Sequence, residues 1–309
     1  MIDLRIPLGD GVEAFVDFVT DNLAFIFTFL RTVFKGFYDG VDWVVSTPPF
    51  WVIIILIAAL AVYAKNWRFG AGVVVGLLLI QFINQWDNAM DTLALTLVAA
   101  FMAVIISVPL GIWAARSDTV STIVRPVLDF LQTMPAFVYL IPALLLFRIG
   151  VVPGIVATVA FALAPGVRLT ELGIRGVDKE VVEAGHAFGA APGRILRQIQ
   201  LPLARPSIMA GVNQVIMLSL SMVVIASMVG APGLGKDIIQ ALSRIDVGLG
   251  SEAGLAVVIL AIILDRLTAT LGTARKRRFG QAEQKNSSGE EPADPNSVDD
   301  TLTDTVPAR

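Results

Sequence analysis

The stretch Gly230-Ala-Pro-Gly-Leu-Gly235-Lys236-Asp237 nearly writes a phosphate-binding loop, in which glycine amides cradle phosphate oxygens and a lysine reaches the outer phosphates. Asp237 stands where a Ser or Thr hydroxyl would hold magnesium, and a carboxylate there repels phosphate. The segment also follows a long apolar run instead of a sheet strand, so it reads as a glycine-rich turn. His186 is the chain's one histidine and there is no cysteine, which removes disulfides and thiolate or histidine metal centres from consideration. A lone histidine on a loop helix is usually incidental. H-E-x-x-H and G-x-S-x-G are absent, and no two carboxylates face each other within an apolar run. The chain is therefore expected not to be an enzyme, and to need no cofactor of its own.

What remains suits contact better than bond chemistry. Glu183-Ala-Gly-His-Ala-Phe-Gly189, followed after nine residues by Ile199-Gln-Leu-Pro202, lies in the most charge-rich part of the chain body. Asp178 is the expected N-cap of a short helix, and Gly189 the left-handed residue that stops it. Val181, Ala184 or Gly185, and Phe188 recur at helical spacing and form one stripe, with small residues between that let a partner surface approach the backbone. Pro192 suits the first turn of a second helix carrying Ile195, Leu196 and Ile199, and Pro202 disfavours its continuation. On residue types alone, a peg that docks into a partner and a helix lying on a membrane surface are equally good readings.

The elements that must position this loop are apolar. Mean hydropathy is +0.75, and 55% of the 309 residues are hydrophobic, which marks a polytopic membrane protein. The fold class expected is all-α. Seven runs with few or no charges, about 44–64, 69–86, 92–115, 130–147, 149–167, 206–229 and 250–271, each approach the twenty or so residues needed to cross a bilayer. The fourth and fifth are joined by a tight turn at Arg148-Ile-Gly-Val-Val-Pro-Gly154. Asp265 and Arg266 shorten the last run, and a paired or boundary position accounts for them. Residues 1–43 mix Glu13, Asp17, Asp21, Arg31, Lys35 and Asp39 with many phenylalanines. They read as an amphipathic helix, either interfacial or packed on the protein's own flank. No cleaved signal peptide is expected at Met1-Ile-Asp-Leu-Arg5, and the polar tail 273–309 is expected to be disordered.

Lys65, Arg68, Arg116, Arg125, Arg168 to Arg205 and Arg275 to Arg278 all fall on one side of seven crossings, which the positive-inside rule makes cytoplasmic. The N-terminus is then expected outside and the C-terminus in the cytoplasm, with Arg148 the one exception. The five tryptophans lie at run ends, as an aromatic belt requires. Pro109, Pro135, Pro142 and Pro165 fall within runs and can bend helices. Met134, Pro135, Tyr139, Pro142, Asn213, Ser219 and Ser221 are the candidate lining of a path, with packing kinks an equal alternative for the prolines. Gly72-x-x-x-Gly76 permits close helix packing but is common in spans.

The spacing Glu-Ala-Gly, Gly189, then Ile-x-Leu-Pro resembles the EAA loop of bacterial ABC importer permeases, which runs EAA-x3-G-x9-I-x-LP, with Gly185 replacing the usual second alanine. Residues 40–272 are similar to permeases of the glycine betaine/proline betaine uptake systems. The similarity is carried by Leu128-Asp-Phe-Leu-Gln-Thr-Met-Pro-Ala-Phe-Val-Tyr-Leu-Ile-Pro142, Arg168-Leu-Thr-Glu-Leu-Gly-Ile-Arg175, Leu201 to Asn213, Leu220 to Ala226 and Asp246 to Gly250. The resemblance implies a type I ABC importer permease (MetI-like) core of five helices at 89–272, with a cytoplasmic coupling loop at 176–204, two accessory spans at 44–88 before it, and the amphipathic helix at the start. It implies that Glu183, Ala184, Gly185, Ala187, Phe188, Gly189, Ile199, Leu201 and Pro202 couple the chain to an ATPase subunit. It further implies two permease copies forming the path in the bacterial inner membrane, two ATPase subunits that bind the ATP and magnesium, a separate extracytoplasmic substrate-binding protein, and no nucleic acid. The substrate implied is glycine betaine or proline betaine, recognised by cation–π contact in the binding protein. Choline, carnitine, trimethylamine N-oxide and dimethylsulfoniopropionate are alternatives. The competing class is an ion-coupled secondary carrier, which uptake insensitive to ATP depletion would select.

Overall fold

In an apolar medium each backbone N–H and C=O must find its partner within its own segment, so long apolar runs fold as helices. The computed structural model describes residues 8–273, and these are helical throughout apart from short connections. In order they are α1 (Leu8–Ser46), α2 (Phe50–Ala64), α3 (Trp67–Phe82), α4 (Trp86–Arg116), α5 (Asp118–Thr133), α6 (Ala136–Phe147), α7 (Val151–Arg175), α8 (Lys179–Ala187), α9 (Pro192–Ile195), a π-helical segment (Leu196–Gln200), α10 (Leu201–Ser227), α11 (Leu234–Arg244) and α12 (Val247–Thr273). The tail beyond Thr273 lies outside the described residues.

Helix α7 is the centre. It packs along α4 on one side and α10 on the other, and small residues set the distance. A Cβ at Gly111 of α4 would come 2.6 Å from Thr170 Cβ, and one at Gly173 of α7 would come 2.7 Å from Ser207 Cβ. Of the pair Gly72 and Gly76, only Gly76 meets a neighbour, Ile259 of α12.

Helices α4, α7, α12 and the continuous stretch Pro192–Ser227 are long and apolar enough to cross a membrane. Two further candidates are bent pairs. Asn22–Ser46 meets Phe50–Ala64 at 98°, across Pro48 and Pro49, and α5 meets α6 at 103°, at Met134-Pro135. The expected run 44–64 is thus split between α1 and α2. Run 130–147 is likewise not one straight helix, because the residue before a proline is pushed out of the helical region. Met134 adopts φ −72°, ψ 133°. Run 69–86 yields the shorter α3, of 16 residues. By length and composition the helices make four crossings, or up to six if each bent pair is one span.

The continuity of Pro192–Ser227 differs from the stop expected at Pro202. The π-helical turn explains it: the Leu201 amide bonds the Leu196 carbonyl, five residues back, and Pro202 falls in the first turn of α10, where its missing N–H costs little. Pro109 and Pro165 sit inside unbroken α4 and α7. The turn between α6 and α7 is tight as expected, with Arg148 at φ 64° and Gly150 at φ 142°.

Helix α1 changes direction at Leu23. Its second half packs on the chain's own flank: the Phe27 ring meets Phe147 edge-on at 5.5 Å, Phe37 stacks on Phe101 at 5.4 Å, and Tyr38 is buried against α4 and α6. Phe18, Phe25 and Trp43 remain exposed. Trp51, Trp67 and Trp113 are exposed too, as belt residues should be, but Trp86 is buried edge-on against Phe50. Asp265 is paired: Asn213 Nδ2 donates to its Oδ1 at 3.2 Å, while Asn213 Oδ1 accepts from the Thr268 hydroxyl. The near-miss phosphate loop is the turn between α10 and α11. Gly230 and Gly233 hold φ of 111° and 120°, Thr92 Oγ1 accepts from the Leu234 amide, and Asn88 Nδ2 donates to Asp237 at 2.7 Å. Asp237 therefore ties α11 to α4.

Candidate functional site: the loop between α7 and α10

Helix α7 ends at Arg175, and a new helix must start four residues on, at Lys179. Asp178 starts it, its Oδ1 accepting from the Glu180 amide at 2.9 Å. The C-terminus of α8 closes in a Schellman motif: the Gly189 amide donates to His186 O at 2.9 Å and the Ala190 amide to Gly185 O at 3.1 Å. Gly189 stands at φ 72°, the left-handed conformation this motif requires. Pro192 then opens α9 at its first turn, as its fixed φ favours.

The loop has two faces. Inward, Val182 packs with Ile174, Val177, Leu196 and Leu201 in a small apolar cluster that also takes in Ile112 of α4. Gly185 is buried on this face, and a Cβ there would come 2.9 Å from Ile199 Cδ1 and 3.4 Å from Ile195 Cγ1. Outward lie Val181, Ala184, Ala187 and Phe188, with Glu183 and His186. Phe188 is 91% exposed. The stripe expected to include Ala184 or Gly185 is thus Val181, Ala184 and Phe188. Gly185, Ile199 and Leu201 hold α8 down from beneath, while Gly189 and Pro202 lie exposed.

The root of the loop is an ionic cluster that the sequence reading did not single out. Glu171 of α7 is buried, and its Oε1 accepts from Ser121 Oγ at 2.7 Å and Arg125 at 2.9 Å, both on α5. Arg175 Nε lies 3.1 Å from the same oxygen, and its other nitrogens reach Asp118 at 2.7 Å and the Ala114 carbonyl of α4 at 2.8 Å. Arg168 pairs with Asp129, and these groups line a cavity of about 380 Å³. One carboxylate therefore gathers the ends of α4, α5 and α7 seven residues before the Asp178 cap. The spacing Arg168, Glu171, Arg175 on one helix face was the available signal.

The candidate path residues fall at several separate places in the fold. Met134 and Tyr139 share an apolar cluster with Met222 and Val223 of α10. The Tyr139 hydroxyl donates back across the bend to the Leu131 carbonyl, and its ring meets Phe161 edge-on at 5.8 Å. Tyr139 thus fastens the α5–α6 bend, and Asn213 fastens α10 to α12. Pro135 and Pro142 are exposed, as is Ser221, which donates to Met217 O. Ser219 is buried, and its hydroxyl has no hydrogen-bond partner.

An all-helical membrane protein, built on a central triplet of helices with a capped loop between two of them, has the form of a transport permease. The chain belongs to the family of binding-protein-dependent transport system inner membrane components, whose model matches residues 107–279. It is 45% identical over 274 residues to the glycine betaine transport system permease protein OpuAB of Bacillus subtilis (strain 168), covering 89% of this chain and 97% of that one. It is 46% identical over 267 residues to the glycine betaine/proline betaine transport system permease protein ProW of Escherichia coli (strain K12), covering 84% and 75%. Among solved structures, an inward-facing form of the methionine ABC transporter MetNI shares the fold, with a TM-score of 0.56 at 22% identity over 62% of this chain and 95% of that one. The chain is thus an inner-membrane component of an ABC importer, a transport subunit and not an enzyme, and the class implies an ATPase partner and a binding protein.

Removing the buried carboxylate should loosen the loop's root. Breaking a buried ion pair costs about 3–5 kcal/mol, but Arg125 and Arg175 are partly solvent-reached, so Glu171→Ala is expected to lower stability by about 1–2 kcal/mol. Glu171→Gln, which keeps an acceptor, should lose less. Thermal unfolding in detergent measures both, and a Glu171→Ala variant as stable as the wild type would refute the clamp.

Proposed function

We propose that the chain is the permease subunit of an importer for glycine betaine, proline betaine or a similar small quaternary amine. In this reading the loop α8–α9 is the coupling element that takes up ATPase motion. The observation that carries the coupling role is the division of the loop into a buried face and an exposed one. Phe188 leaves most of an aromatic ring in water, and burying such a side chain is worth roughly 1.5–3 kcal/mol. Ala184 beside it lets a partner approach the backbone. The substrate reading rests on the relatives, named as glycine betaine or proline betaine permeases. Two copies of the chain form the path, two ATPase subunits bind ATP and magnesium, and a separate extracytoplasmic protein delivers the substrate.

The test is uptake by vesicles holding the permease, its ATPase subunit and its binding protein. Glycine betaine uptake should require ATP. Phe188→Asp should insert normally but lose uptake and the binding-protein-stimulated part of ATP hydrolysis by tenfold or more, the result of losing about 1.4 kcal/mol or more of contact. Uptake driven by an ion gradient without ATP would select a secondary carrier, and wild-type stimulation in Phe188→Asp would reduce α8 to a surface helix.

Arginine-rich loops set the orientation: Arg116, Arg125 and the segment Arg168 to Arg205 face the cytoplasm. The chain has no cysteine, so single cysteines report cleanly. In intact cells, a cysteine at Ser117 or Gln198 should resist an impermeant thiol reagent, and one at Asp237 or Ser251 should react. The reverse pattern would invert the topology and remove the loop from the ATPase side.

A further inference from the structure

Beside the inward face of the coupling loop lies a second cavity, of about 510 Å³, lined by Arg116 from the end of α4 and by Gly193, Arg194, Leu196, Arg197 and Gln198. Three exposed arginines from two separate parts of the chain line it, and no carboxylate does. Among the described residues none of the three is in an ion pair, whereas Arg125, Arg168 and Arg175 of the neighbouring cavity all are. Like charges gathered without a counter-ion repel one another, and an anion held between them relieves that repulsion. Arginine is the side chain whose planar fork matches phosphate oxygens.

The surroundings say which anion. Trp113 stands one turn before Arg116 on the same helix face and is 61% exposed, and Leu203, about two turns beyond Leu196, is 54% exposed. The cavity therefore opens where apolar helix surface gives way to charged loop, the level at which tryptophans border the headgroups of a bilayer. We propose that this cavity is a binding site for the phosphate headgroup of an anionic phospholipid, held by Arg116, Arg194 and Arg197. Basic pockets between membrane helices suit such headgroups. Because Arg194 and Arg197 sit on the segment that follows the coupling helix, a bound headgroup ties that segment to the end of α4. The site adds to the coupling reading and stands without it, since lipid binding is a property of the permease alone.

The test uses the full chain purified in detergent and titrated with phosphatidylglycerol or phosphatidylcholine, with bound lipids counted by native mass spectrometry. The wild type should prefer phosphatidylglycerol. R116Q/R194Q/R197Q should lower its apparent affinity on the order of a hundredfold and leave phosphatidylcholine unaffected, and the corresponding triple lysine variant, which keeps the charge but not the planar fork, should fall between that variant and the wild type. R194Q/R197Q, which changes only exposed loop side chains, should fall on the order of thirtyfold and covers the case in which the end of α4 does not tolerate the triple change. Unaltered phosphatidylglycerol binding in both variants would overturn the site. Loss of ATPase-subunit capture in those same variants would assign the arginines to that partner instead. Displacement of the lipid by inorganic phosphate at comparable concentration would make it a free-phosphate site and overturn the lipid assignment.

Discussion

Glu171 is a carboxylate placed where an apolar helix leaves the packed core, and its side chain is almost wholly removed from water. An unpaired charge there would cost several kcal/mol. Three donors offset that cost, and they come from α5 and from the last turn of α7 itself. Through Arg175 the same cluster reaches the final turn of α4. The ends of three helices are therefore fixed relative to one another at the point where the chain departs for the loop. In the proposed coupling role the loop must be rooted in something that does not yield, and this cluster supplies that root.

From the root outward, each step is a local solution to the ends that helices leave open. The Asp178 side chain and the Schellman motif at Gly189 satisfy the two termini of α8. Val182 and Gly185 seat it on Ile195, Ile199 and the apolar residues beneath. The glycine permits an approach that alanine would crowd, since a Cβ would meet Ile199 at 2.9 Å. The π-helical turn at 196–200 then carries the chain past Pro202 without a break, so the segment beneath α8 and the whole of α10 are one continuous helical stretch. Packed side chains, not a hinge, join α8 to the ends of α7 and α10.

Much of this was legible in the residues. Asp178, Gly189 and Pro192 mark their own roles, because caps and turns depend on a residue's local conformation. The apolar runs mark the helices, and of the two positions open to Asp265 the structure shows the paired one. What was not legible depends on partners distant in sequence. Nothing near Glu171 announces Ser121 or Arg125. Periodicity placed Gly185 beside Ala184 on a stripe but could not say which of the two faces the chain's own Ile199. Trp86 looked like a belt residue by its position at a run's end and is buried because Phe50 covers it. Asn213 and Tyr139 looked like polar lining, and each is engaged in holding helices together. The bend at Met134-Pro135 was written in its proline, whereas the one at Pro48-Pro49 falls inside a run read as a single span.

The central claim is that α8 presents one face to an ATPase subunit and keeps the other for its own chain. Cysteine cross-linking measures this directly, since the chain contributes no cysteine of its own. Single cysteines at Ala184 and Phe188 should cross-link to the ATPase subunit in the assembled transporter with a short bifunctional reagent, and cysteines at Val182 and Ile195 should not. Cross-linking from all four positions alike, or from none in a complex that still transports, would contradict the account.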